Sequence, residues 1–323
     1  QLLLTAGVTM LTARVFHFEW TESIFVGFLT ALSSTAVVLK LLQERSELTT
    51  HYGKTVVGIL IFQDIILIPL LLFTPMLGGA TADVGHDLLF MMLKTAGILI
   101  FIWVGTKWLM PKVLHLIAMT RSHELFLMSL LLICLAVAML THQLGMSLAF
   151  GAFLAGLMIS DTEYSHSAFG NLIPFKDVFT SFFFVSIGML LDIGFVVDHP
   201  WLVIGDVLMV IFLKAVIAGM TAFALGHNFP GTVAVGLSLA QVGEFSFILA
   251  GLGLVHSIIT PEHYQLFLAV AITSMALSPL LIQAAKPLSS LILRLPLPPF
   301  LVNGLFPLRQ VEIPEISKHV VLI

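Results

Sequence analysis

Long apolar runs alternate with short polar or glycine-rich stretches along the whole chain, and the runs are long enough to form helices that cross a lipid bilayer. They fall at about 2–16 (incomplete), 22–43, 53–75, 85–110, 123–142, 145–160, 175–195, 201–226, 231–256 and 263–285, which predicts nine membrane helices and one remnant. The run at 145–160 is short, and its Gly151, Ala152, Ala155 and Gly156 suit close helix packing. Four runs carry polar residues at their middles: Ser33-Ser34-Thr35, Gln63-Asp64, Lys214, and Gln241-Val242-Gly243-Glu244. Each group lies near the midpoint of its run, so all four can meet in one plane of the membrane.

Asp64 is the centre of this pattern. A carboxylate at bilayer mid-depth costs roughly 2.5–3.5 kcal/mol on insertion scales, so an acid there reads first as an ion or proton site and second as a structural acid bonded inside the bundle. The two runs with helix-breaking polar centres, 22–43 and 231–256, run in opposite directions by simple alternation of spans. That is the pattern of inverted repeats whose broken helices cross beside a substrate site. Half-helix ends leave amides, carbonyls and partial charges at such a crossing, which gives Glu244 and the hydroxyls a purpose apart from ion binding.

Composition agrees with a membrane protein. The chain is 59% hydrophobic and only 10% charged, with a mean hydropathy of +1.08, far too apolar for an ordinary soluble domain of this length. Its formal net charge is −4 and no basic face points to nucleic acid. The single cysteine, Cys134, provides neither a disulfide frame nor a metal cluster. Gln1 follows no Met or basic leader, so the sequence reads as starting within a longer protein.

Basic residues set the orientation. If 43–54 is cytoplasmic, alternation places 107–122, 161–176, 227–230 and everything after 286 on the same side. Every Lys and Arg except Arg14, Lys94 and Lys214 lies there or at its edge. The opposite loops, 76–84, 143–144, 196–200 and 257–262, carry none.

Each polar feature has two readings. Ser33, Ser34 and Thr35 either bond back to their own helix or line the crossing. Glu244 balances helix ends or ligates an ion. Lys214 pairs with Asp64 or snorkels, whereas Lys94 and Asp206, nearer span ends, suit snorkelling. Histidines 51, 86, 115, 123, 142 and 256 sit at span ends and receive no role.

The runs ALSSTAVVLKLLQER (31–45), GILIFQDIILIPLLL (58–72), GAFLAGLMISDTEYSH (151–166), FFFVSIGMLLD (182–192) and VGEFSFIL (242–249) resemble the monovalent cation:proton antiporter-2 family. Within it the likeness is to Kef-type potassium/proton antiporters, with their Gln-Asp pair. The resemblance implies an all-α polytopic membrane protein with a sodium/proton-antiporter-like fold: inverted repeats, two crossed broken helices, a core and a dimerisation domain, thirteen helices in all. It makes 1–285 the transmembrane antiporter domain, 286–315 a cytosolic linker, and 316–323 the first strand of a truncated regulatory domain that would bind nucleotide. No cofactor is expected within this stretch itself.

The resemblance makes Asp64 the proton- and cation-binding carboxylate and Gln63 its neighbour. It places Lys214, Glu244 and Gln241 as core supports or charge partners, and Ser33, Ser34, Thr35 and Gly243 in the crossing. The partners implied are a monovalent cation (potassium favoured, sodium possible), H+, lipid and a second copy of the chain, with a bacterial inner membrane as the location. Glutathione gating does not carry over, because HSAFGNLIPFKD (166–177), read as the loop after the GAFLAG helix, lacks the acidic segment. The implied function is antiport rather than enzymatic catalysis. A cation channel or a sodium-coupled organic-solute symporter on the same plan is the alternative; an intramembrane aspartyl protease lacks a second mid-depth aspartate.

Overall fold

The computed structural model describes residues 1–78, 97, 100–101, 103–143, 148–296 and 298–305, and their regular structure is helical throughout. Helices α1 (Leu2–Val15), α2 (Trp20–Ala31), α3 (Thr35–Glu44) and α4 (His51–Leu77) make up the first part. A single π-helical stretch, Gly105–Leu109, leads into α5 (Met110–Ala118), followed by α6 (His123–Gln143), α7 (Leu148–Ser160), α8 (Ser165–Leu190) and the short α9 (Ile193–Asp198). The last part comprises α10 (Pro200–Ala224), α11 (Phe229–Ser238), α12 (Phe245–Val255), α13 (Pro261–Ile292) and α14 (Pro299–Asn303). Lys94, His86, most of the run 85–110 and the expected strand 316–323 lie outside the described residues.

Local chemistry starts these helices where it should. Thr50, Asn228 and Thr260 each accept a hydrogen bond from an amide in the first turn, and α10, α11, α13 and α14 carry proline in their first two positions. Among the described residues, five stretches are long and apolar enough to cross a membrane (20–44, 51–77, 123–143, 200–224 and 261–292), and the bent α8 makes a sixth. Large apolar side chains point outward, Trp201 at 84% and Phe212 at 72% exposure among them. A surface of that kind is stable against lipid rather than water.

The chain departs from hydropathy alone in two places. Residues 166–177, read as a loop, belong to α8, whose halves Ser165–Lys176 and Val178–Leu190 meet at 45°. Pro174 lies just before the bend, and its missing N–H and its ring explain the kink. Helix α13 runs on through Pro279 and Pro287 to Ile292, past the membrane boundary expected at 285.

Helix α4 packs against α11, α12 and α2, while α11 lies between α10 and α13. Three apolar clusters surround the resulting centre. One gathers Val38, Leu42, Leu60, Ala222, Val235 and Leu239 toward the basic face. A second joins Val242 and Phe247 to α10 and α13, and a third joins Phe25, Leu29 and Leu67 to α6 and α7. Ser33, Ser34, Gln63, Lys214 and Gln241 are buried there, and Thr35, Asp64 and Glu244 are partly buried.

Candidate functional site: two helix breaks and the carboxylates around them

Leu32 and Ser34 adopt extended backbone, so the chain leaves helix between Ala31 and Thr35. It leaves again between Ser238 and Phe245. In a bilayer each such gap strands backbone groups that no water can satisfy, so the protein must supply partners.

The two gaps largely satisfy one another. Gly243 N donates to Leu32 O at 3.1 Å, Ser33 Oγ donates to Leu239 O at 3.0 Å, and Ser246 Oγ donates to Leu29 O at 2.7 Å. Gly243 is required for this approach, because a Cβ there would lie 2.7 Å from Ser33 O and 2.8 Å from its carbonyl carbon. Ser274 Oγ on α13 accepts from Val242 N at 3.2 Å, completing the second gap.

Charges then fall where the half-helix dipoles want them. The open C-terminal carbonyls of α2 receive the Lys214 ammonium, which donates to Thr30 O at 2.5 Å and Leu32 O at 2.8 Å from a fully buried position. At the N-terminus of α3, Ser34 Oγ accepts from Val37 N at 3.2 Å and Glu244 Oε1 accepts from Ala36 N at 3.0 Å. A cation at a C-terminus and carboxylates at an N-terminus is the favourable arrangement at both ends.

Asp64 completes the cluster. The Thr35 hydroxyl lies 3.1 Å and 3.2 Å from its two oxygens, and the side chain is half-buried in the middle of α4. A carboxylate has about four lone-pair positions, so most of its capacity is free for a proton or a cation. Gln63, 1% exposed, has both ends of its amide engaged: Oε1 accepts from Ser33 N and Nε2 donates to Gln1 Oε1, each at 2.7 Å.

The predicted residues therefore meet, with one correction. Lys214 neither pairs with Asp64 nor snorkels; its proton donors are spent on the carbonyls of α2, and no ion pair joins it to Asp64 among the described residues. Ser33 bonds across to the second gap and Thr35 to Asp64 on α4, whereas Ser34 caps its own helix. Ser238, Ser246 and Ser274 went unpredicted, although hydroxyls inside apolar runs were the visible signal. Among the described residues, four buried side-chain polar atoms have no hydrogen-bond partner: Ser238 Oγ, both amide atoms of Gln241, and Glu244 Oε2. Groups of this kind in a native interior ask for a ligand, an ion or water. No group of three or more potential metal ligands occurs among the described residues.

A family model described as sodium/hydrogen exchanger, transmembrane, matches residues 1–284. Among curated proteins, the chain is 35% identical over 286 residues to K(+) efflux antiporter 4 of Arabidopsis thaliana, covering 87% of this chain and 48% of that one. It is 33% identical over 290 residues to the putative cation/proton antiporter YbaL of Escherichia coli (strain K12), covering 87% and 52%. To the putative K(+) efflux antiporter KefB of Alkalimonas amylolytica it is 32% identical over 286 residues, covering 86% and 43%. The chain thus spans about half the length of the curated relatives it matches. The Kef-type likeness drawn from the motifs is borne out, and so is the multi-pass membrane location. With its apolar helices and the family match running from residue 1 to residue 284, the chain belongs to the sodium/hydrogen exchanger transmembrane family.

Proposed function

We propose that this chain is the transmembrane part of a secondary antiporter that exchanges a monovalent cation, potassium in preference to sodium, for H+ at Asp64. The observation that carries the reading is the position of Asp64: an acid halfway along a membrane helix, held by one hydroxyl donor at the start of α3, with its remaining lone pairs free. Either a proton or a partly dehydrated cation neutralises that carboxylate, and either makes it tolerable in a low-dielectric setting. Relatives named as K(+) efflux and cation/proton antiporters support the same substrates.

In this reading the spans 20–44 and 229–255 are the broken members of two inverted repeats that cross beside Asp64. Residues 1–285 form the transmembrane unit, which moves between inward and outward states as part of a homodimer. Lys214 and Gln63 hold the crossing rather than the ion, and Glu244 balances the α3 terminus. Since Gln63 carries no charge, one proton per cation and electroneutral exchange follow if Asp64 alone titrates.

Proteoliposomes reconstituted with the full-length protein test this. Potassium, sodium, rubidium and lithium are offered in turn against a pH gradient, with and without an imposed voltage. Saturable, pH-coupled flux fastest with potassium and indifferent to voltage is the expected result. Unitary currents in planar bilayers would instead identify a channel, and uptake of an organic solute driven by sodium would identify a symporter.

A further inference from the structure

On the side of the membrane that carries the basic loops, the chain forms a cavity of about 920 Å³. Its walls come from the α3–α4 connection, the α10–α11 turn, the end of α13 and α14. These are the segments that the charge pattern assigns to one side of the membrane, and they meet here. Arg45, His51, His227 and Lys286 line it, and Ser238 is part of the same wall.

The lining is wrong for a cation path. Glu47 is the one acid in the wall, and it is already engaged: Arg45 Nε at 2.9 Å, Tyr52 Oη at 2.5 Å and Lys286 Nζ at 3.4 Å all address it. Two permanent positive charges face one negative one, and a cation would add to the excess. Helices α4 and α11 also begin at this cavity, with His51 and Asn228 in its wall, so their positive dipole ends act in the same direction. The His51 and His227 rings lie 4.2 Å apart, and His227 Nε2 lies 2.8 Å from Thr55 Oγ1.

Ser238 supplies an independent observation. Its hydroxyl is buried at 1% residue exposure and has no hydrogen-bond partner, although it belongs to the cavity wall. A hydroxyl left unpaired in the interior costs stability unless a ligand or water uses it. Leu225, Ile282, Leu293 and Val302 give the wall an apolar part, beside Ser289 and Asn303, and the volume is that of a small-molecule site.

We propose that this cavity binds a phosphate-bearing anion: the phosphate between Arg45, Lys286 and the two helix starts, the apolar remainder against the aliphatic wall. A lipid headgroup and a soluble phosphate share this chemistry. The site stands on its own charge and geometry and does not depend on ion exchange at Asp64.

The test uses the full-length protein in nanodiscs and reads melting temperature. In one arm the discs are phosphatidylcholine, and inorganic phosphate is titrated against chloride at matched ionic strength. In the other arm phosphatidylglycerol replaces part of the phosphatidylcholine and no phosphate is added. A saturable rise in melting temperature in the first arm assigns a soluble ligand, and in the second a lipid. Lys286→Gln should raise the half-saturating concentration roughly tenfold, the scale of one lost charge-assisted hydrogen bond. Ser238→Ala, at the far end of α11 from the phosphate, should leave the inorganic-phosphate arm unchanged, as should Lys54→Gln, an exposed lysine outside the cavity wall. No saturable response in either arm overturns the proposal, as does an undiminished response in Arg45→Gln/Lys286→Gln measured against that variant's own baseline.

Discussion

Asp64 and Glu244 stand 180 residues apart in the sequence, yet both address the first turn of α3, Asp64 through the Thr35 hydroxyl and Glu244 through the Ala36 amide. Two carboxylates at one helix start have different freedoms. Glu244 Oε1 is committed to backbone, while Asp64 answers only to a rotatable hydroxyl. That difference makes Asp64 the member able to change partner.

Asp64→Asn should therefore abolish cation-driven proton movement while leaving the fold intact. The amide keeps the size of the side chain and an oxygen that accepts from Thr35, but it cannot titrate. Flux in proteoliposomes should fall to the level of empty vesicles while melting temperature changes by no more than a few degrees. Retained exchange would remove Asp64 from the mechanism.

Lys214→Met should act on stability first. It leaves the Thr30 carbonyl without the ammonium, while Leu32 O keeps the Gly243 amide, and one unsatisfied buried group costs about 1–3 kcal/mol. A loss of about 1–3 kcal/mol in unfolding free energy is expected, read by denaturant titration in mild detergent. Lost transport with unchanged stability would show instead that the lysine belongs to the exchange reaction.

Gly243→Ala should push the two helix gaps apart. The new methyl would meet Ser33 backbone on three atoms, none of which belongs to a flexible side chain. Gly251→Ala is the control, since nothing lies within 4 Å of a Cβ there. Loss of transport and lowered melting temperature are expected in the first variant alone; equal effects in both would mean that the close approach is not what matters.

Glu47 gives a pH prediction. Burial raises its carboxyl pKa, but hydrogen bonds from Tyr52, Arg45 and Lys286 and the Arg45 charge outweigh this and hold it below the ordinary 4.5. A depressed folded pKa contributes stability that is fully present above the unfolded value and fades as pH falls through the folded one. The melting-temperature gap between wild type and Glu47→Gln should thus be constant above about pH 5 and shrink in more acidic buffer. A gap that widens on acidification would contradict the sign.

The spans and the mid-depth polar groups were legible because lipid enforces both: twenty apolar residues to cross, and a strong penalty on any polar interruption. Asp64, Glu244 and Gly243 could be singled out for that reason. The partner of Lys214 could not, since it bonds to carbonyls, which every residue has and no sequence displays. The helical course of 166–177 was hidden because the loop there rests on the family resemblance and not on these residues' own pattern; Pro174 only bends α8. Ser238 was hidden because what distinguishes it is a missing bond, a property of packing.

The reliance of the first helix gap on distant residues also bears on how the chain is made. Lys214 lies 184 residues after Thr30, Leu239 lies 206 after Ser33, and Glu244 lies 208 after Ala36. At ribosomal speeds of roughly 5–20 residues per second, the early segment would wait on the order of ten to forty seconds for these companions. Through that interval its stranded amides and carbonyls must be sheltered by the insertion machinery or by neighbouring nascent helices, so residues 214–244 act as the assembly clasp for the early membrane segments.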